Sequence, residues 1–150
     1  MPVVFVIGRF VFVLYFIFAG LQRFMNVTAS ADYFAHKFMM PSALDAAAEQ
    51  LTSLIGLSTP TALAMLAGVI ELAAGLLLAF NVGTRAMAIV LILFTAVGIY
   101  YGDNFWDVAA PLREASLTTA VVHLSLIGGL LVFVALGSGY PGEPARRADV

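Results

Sequence analysis

The residues of this chain best placed to do chemistry are Arg9, Arg23, Glu71, Tyr100, Trp106 and His123, all in or at the ends of long apolar runs. Glu71 is the most informative. It sits in the middle of the run from Thr61 to Phe80, with no other charge from Gln50 through Thr84. Burying an ionised carboxylate at the centre of a membrane span costs at least about 2.5–3.5 kcal/mol, so it persists there only if paired, hydrated or protonated. The partner expected for it is Arg9, the only charge in the first apolar segment. At about 1.5 Å per residue, Arg9 lies roughly 10 Å from the end of its segment and Glu71 roughly 13 Å from the end of its own on the same side. The two segments run antiparallel, so a buried Arg9–Glu71 ion pair is expected. Ala64, Gly68, Glu71 and Gly75 form one stripe, narrow enough to admit a neighbouring helix closely. Such a pair fixes helix register, with proton transfer as the alternative role.

A second polar group gathers at the opposite level. Arg23 ends the first segment with Gly20 on its face, and Ser116, Thr119 and His123 share a face of the fourth by their spacing. With Tyr100, Tyr101 and Trp106 they could line a ligand pocket opening toward the noncytoplasmic surface. Against that stands ordinary anchoring: aromatic residues favour the headgroup layer, and a histidine in a span often bonds its own backbone or a serine.

Several chemistries are excluded. Cysteine is absent, which removes disulfides, thiolate metal sites and thiol redox. A bis-histidine haem needs two histidines at matching depth on facing helices, and His36 falls in a connection; a single axial histidine stays open. No His-Glu-x-x-His pattern, nucleotide-binding glycine loop or hydrolase triad is present, and no metal site is expected. A formal net charge of -2 without a basic run makes nucleic acid an unsuitable partner.

The elements that must position these residues are apolar helices. The chain is 62% hydrophobic and 11% charged, with a mean hydropathy of +1.01. Four segments, Pro2 to Leu21, Thr61 to Phe80, Ala86 to Tyr101 and a stretch of the uncharged run Ala115 to Gly142, approach the roughly 20 residues a bilayer core requires. Period-two alternation is absent, which argues against a membrane barrel. The expected fold is therefore an all-α membrane protein: a four-transmembrane-helix bundle over residues 1–140, followed by a flexible polar tail over 141–150. Arg9 interrupts the first run and no basic region precedes it, so that run reads as a retained helix rather than a signal peptide. In the long connection, Leu44, Ala47, Ala48, Leu51, Leu54 and Ile55 repeat on one face, predicting a short interfacial helix from Ser42 to Ile55 between helices 1 and 2. The terminal amine, Arg85, Arg146 and Arg147 outweigh Arg23, Lys37 and Arg113 by a narrow margin, which favours cytoplasmic termini.

Several short motifs, taken in order, resemble the DoxX family of small four-helix membrane proteins. They are Gly8-Arg9, Phe18-Ala19-Gly20-Leu21-Gln22-Arg23-Phe24, Gly68-Val69-Ile70-Glu71-Leu72-Ala73-Ala74-Gly75-Leu76, Gly83-Thr84-Arg85, Asn104-Phe105-Trp106 and His123-Leu124-Ser125-Leu126-Ile127-Gly128-Gly129-Leu130-Leu131. Where family members commonly carry a lysine-asparagine pair in the fourth helix, this chain has Val122 and His123. The resemblance implies a bacterial or archaeal inner-membrane protein and a subunit linked to quinone-dependent or respiratory redox chemistry. On that reading Arg23, Tyr100, Trp106 and His123 would form a quinone pocket, with quinone as a ligand and no intrinsic cofactor. The alternative is a non-catalytic accessory subunit packed against a larger membrane complex, and whether the chain is an enzyme stays open. The lipid bilayer and other membrane subunits are the partners implied.

Overall fold

Runs of leucine, valine, alanine and phenylalanine without interior proline can satisfy their backbone groups in lipid only by forming helices, and this chain does so four times. The computed structural model describes residues 2–37, 50, 52–54 and 56–138. The helices are α1 (Pro2–Met25), α2 (Val27–Lys37), α3 (Thr59–Ala79), α4 (Thr84–Gly98) and α5 (Leu112–Leu136), with a π-helical turn over Ile99–Asp103 prolonging α4. Among the described residues there is no strand. Four spans, Val3–Met25, Thr59–Ala79, Thr84–Asp103 and Leu112–Leu136, are long and apolar enough to cross a membrane. The chain is an all-helical, multi-pass membrane protein. The expected tail and most of the expected interfacial helix lie outside the described residues; within that helix, Gln50 and residues 52–54 are helical.

Small residues bring α1 onto α3. A Cβ added at Gly20 would stand 2.8 Å from the Leu72 backbone nitrogen and 2.9 Å from the Gly68 carbonyl oxygen. Gly75 likewise lies against Phe16 and Ile17 of α1. In lipid, where apolar surface gives no drive for helices to associate, close backbone approach and dispersion replace it. The stripe Ala64, Gly68, Glu71 and Gly75 is buried along its length. Between α1 and α5 the contact is made by side chains: the Phe12 ring occupies the place a Cβ on Gly129 would take, and it packs on Phe133 at 5.3 Å. Val13, Phe16, Leu78, Leu91 and Leu130 form the fully enclosed centre, while Val4, Phe18, Leu93 and Leu131 point outward, as a lipid-facing surface requires.

Two local features differ from the sequence reading, and both shape the site. The connection after α1 is itself helical: Asn26 interrupts the rod for one residue and α2 continues beyond it to lean on α3. Its residues Val27 to Lys37 mix threonine, serine and aspartate with alanine and carry little apolar bulk, which is why the segment reads as loop. The third span, expected to end at Tyr101, runs on to Asp103 through the π turn. Such a turn inserts an extra residue into a helix and re-aims the side chains beyond it. Here it carries Asp103 into the bundle.

Candidate functional site

Glu71 is paired with Arg23, which corrects the expected Arg9–Glu71 pair. Arg23 Nε donates to Glu71 Oε2 at 2.6 Å and Arg23 Nη2 to Oε1 at 3.2 Å, a two-pronged arrangement suited to the planar guanidinium. Its cationic carbon also lies over the Phe34 ring of α2 at 5.5 Å. Arg9 instead donates through Nη1 to Asn81 Oδ1 in the α3–α4 turn and lies over the rings of Phe5 and Phe133. Asn81 also accepts from Thr84 Oγ1 at 2.9 Å and donates to the Ser138 carbonyl at 3.2 Å. Arg9 thus belongs to a polar clasp that ties α1, the turn and the end of α5 together. The physical reason is stagger. Helices α1 and α3 ending flush would set Arg9 beside Glu71, whereas the Gly20–Gly68 contact slides α1 by roughly eight residues, about 12 Å at 1.5 Å per residue. That shift puts Arg9 level with Asn81 and brings Arg23 back to Glu71.

His123 is bridged on both ring nitrogens. Its Nδ1 lies 2.7 Å from Asp103 Oδ2 and its Nε2 lies 2.8 Å from the Tyr15 hydroxyl. Asp103 is buried, with 7% of its side chain exposed, so it is held away from water behind the imidazole. Three helical elements meet at this ring: α1 through Tyr15, the π turn through Asp103, and α5 through His123. Thr119, expected on the same face of α5, donates instead to its own helix at the Ala115 carbonyl.

Tyr15, Phe16, Arg23, Tyr33, Glu71 and His123 border one cavity of about 130 Å³, with Thr95 and Tyr101 on the α4 side and Lys37 at the end of α2. An apolar cavity of about 150 Å³ holds one benzene ring, so the space accepts a single six-membered ring. Tyr33 and the π turn meet closely: any Cβ on Gly102 would collide with the Tyr33 hydroxyl. Burial, and then the nearby Asp103 carboxylate, push the Tyr33 phenol above its usual range. Of the four residues expected to form the pocket, Arg23 and His123 border the cavity, while Tyr100 and Trp106 do not. Tyr100 and Trp106 stack on each other at 5.7 Å on the exterior. Among the described residues no three histidine, aspartate or glutamate side chains converge as metal ligands would.

Sequence reasoning passed over Tyr15, Tyr33 and Asp103. Tyr15 had a usable signal, because Tyr15, Ala19 and Arg23 recur at four-residue spacing on one face of α1. Asp103 had none, since an acid beside aromatics at a helix end matches a headgroup anchor equally well.

The DoxX family matches residues 4–104, two thirds of the chain, including every element of the site except α5. A relative from Escherichia coli (strain K12), Inner membrane protein YphA, is 24% identical over 138 residues, covering 92% of this chain and 86% of that protein. No solved structure matches.

Proposed function

Because this chain belongs to the DoxX family and carries a ring-sized cavity inside a membrane bundle, we propose that it is an inner-membrane subunit that binds the headgroup of a quinone-type lipid. The observation that carries this reading is the cavity wall itself. It combines aromatic side chains, Phe16, Tyr33 and Tyr101, with a cationic donor, Arg23, and a hydroxyl–imidazole pair, Tyr15 and His123. A flat ring with oxygen at each end requires apolar walls and a few convergent polar groups. The ring-sized volume supports one six-membered ring rather than a fused pair. Aromatic side chains rather than backbone join α1 to α5 beside the cavity, and an isoprenoid tail would leave for the lipid along that seam. On this reading the protein is the quinone-holding component of a larger membrane assembly, and a partner subunit exchanges electrons with the bound ring. The relative's name, an inner membrane protein, supports the location, and the charge bias supports cytoplasmic termini.

The test is purification from native membranes in mild detergent, followed by organic extraction and mass analysis. A benzoquinone-class lipid is expected with the wild-type protein and is expected to be depleted from Arg23→Met. Equal lipid-quinone content in the two preparations would remove the basis for the site. For the orientation, a cysteine placed at Ser138 is expected to resist a membrane-impermeant maleimide applied to intact cells; labelling there would reverse it.

A further inference from the structure

We propose that Tyr15, His123 and Asp103 form a proton-accepting chain that takes the hydroxyl proton from the ring held in the cavity, so that the site binds a phenol- or quinol-type ligand as its anion. This rests on the cavity being a ring site, and it specifies which form of the ring the site prefers.

The direction follows from the hydrogen-bond inventory. Asp103, ionised, can only accept, so His123 Nδ1 carries a proton toward it across 2.7 Å. In the neutral imidazole Nε2 is then an acceptor, and the Tyr15 hydroxyl donates to it at 2.8 Å. Tyr15 has no second proton, so its oxygen can offer the cavity only a lone pair. Across the same cavity Arg23 gives Nε and Nη2 to Glu71, and its remaining N–H groups are donors. The complementary ligand therefore presents a hydroxyl to Tyr15 and an electron-rich oxygen to Arg23. Tyr33, Lys37, Thr95 and Tyr101 complete the polar groups facing the space.

The transfer balances without any redox partner. The O–H bond of the ligand breaks as its proton moves to the Tyr15 oxygen, and the proton of Tyr15 moves to His123 Nε2. The ligand is left as an oxyanion that now accepts from Tyr15, and the imidazolium faces Asp103. No electrons leave the ligand. The driving force is the carboxylate of Asp103, buried in a membrane span opposite a neutral ring. Charging His123 gives it a counter-ion in direct contact, which is how charges inside bilayers are accommodated. Tyr15 touches the ligand, whereas Asp103 does not border the cavity and acts through His123 as a positioning residue.

The probe is para-nitrophenol, a single ring whose anion is yellow, with para-nitroanisole as a size-matched ring that has no proton to give. Both are titrated onto purified protein in detergent at a pH where free nitrophenol is protonated. The wild type is expected to show the phenolate band on binding. Tyr15→Phe removes only the hydroxyl, and the phenolate band, taken relative to the nitroanisole bound by the same preparation, is expected to fall at least about tenfold, the loss of one hydrogen bond to a charged oxygen. Asp103→Asn is expected to reduce the band as well. If nitrophenol binds the wild type without the band, His123 is charged at rest, Tyr15 is a donor, and the proton chain is overturned while the ring site stands. A band that survives Tyr15→Phe overturns it equally. If neither probe binds the wild type, the ring site itself fails.

Discussion

Breaking the Arg23–Glu71 pair should destabilise the bundle unequally from its two ends. The glutamate side chain is 6% exposed and the arginine side chain 24% exposed. Arg23→Met leaves an enclosed carboxylate without a cation, and removing one partner of a buried pair costs about 3–5 kcal/mol. Glu71→Gln leaves an arginine that can extend its head toward the interface and keep its stem packed. It also retains the Phe34 ring beneath it, so the cost should be about 1–3 kcal/mol, that of a lost hydrogen bond to a charged group. Combining Arg23→Met with Glu71→Gln removes the orphaned charge. The double variant should therefore be no less stable than Arg23→Met alone, giving a coupling of about 2 kcal/mol, inside the 0.5–3 range for contacting residues. Trp106 is the only tryptophan, and its fluorescence can follow equilibrium unfolding in mixed micelles. Additive losses, within about 0.5 kcal/mol, would refute the pair. So would a larger coupling of Glu71 to Arg9 than to Arg23, which would restore the flush register of α1 and α3.

Further expectations follow from the packing and the polar clasp. Gly20→Ala puts a methyl against the backbone of α3 and should cost about 1–3 kcal/mol by overpacking, whereas Gly128→Ala, which meets nothing within 4 Å, should leave the unfolding midpoint unchanged or slightly raised. Asn81→Ala removes the acceptor shared by Arg9 and Thr84 and leaves alanine, which lacks the side-chain oxygen that supports the left-handed conformation, at φ 64; a loss of about 1–3 kcal/mol is expected from the hydrogen bonds removed, measured in the same assay. Tyr33 holds its proton above the ordinary value of 10.0. The unfolded chain then releases that proton first, so the stabilisation is fully present below pH 10.0 and is lost as pH rises through the folded value. Tyr33→Phe should remove this part of the alkaline loss, and phenolate absorbance against pH checks it directly.

The helices themselves were legible in the residues. Apolar length without period-two alternation forces helix in lipid, since a backbone that is neither helix nor closed barrel would strand its polar groups, and this accounts for all four spans. It also marked Glu71 as a charge that something must answer. Arg23 and His123 could be picked out as site residues because charge and imidazole are rare at those depths. What tertiary structure decided was who meets whom. The partner of Glu71 turns on the stagger of α1 against α3, and that is set by where Gly20 fits over Gly68. Several glycines and alanines along α3 could have accepted α1 at other heights, and only packing selects among them. Asp103 joined the site because a π turn rotated it inward, a distortion that leaves no periodic mark in the sequence. Tyr100 and Trp106 stayed outside for a related reason: aromatic residues at a helix end suit the membrane surface and a pocket wall equally, and only the path of the backbone separates the two.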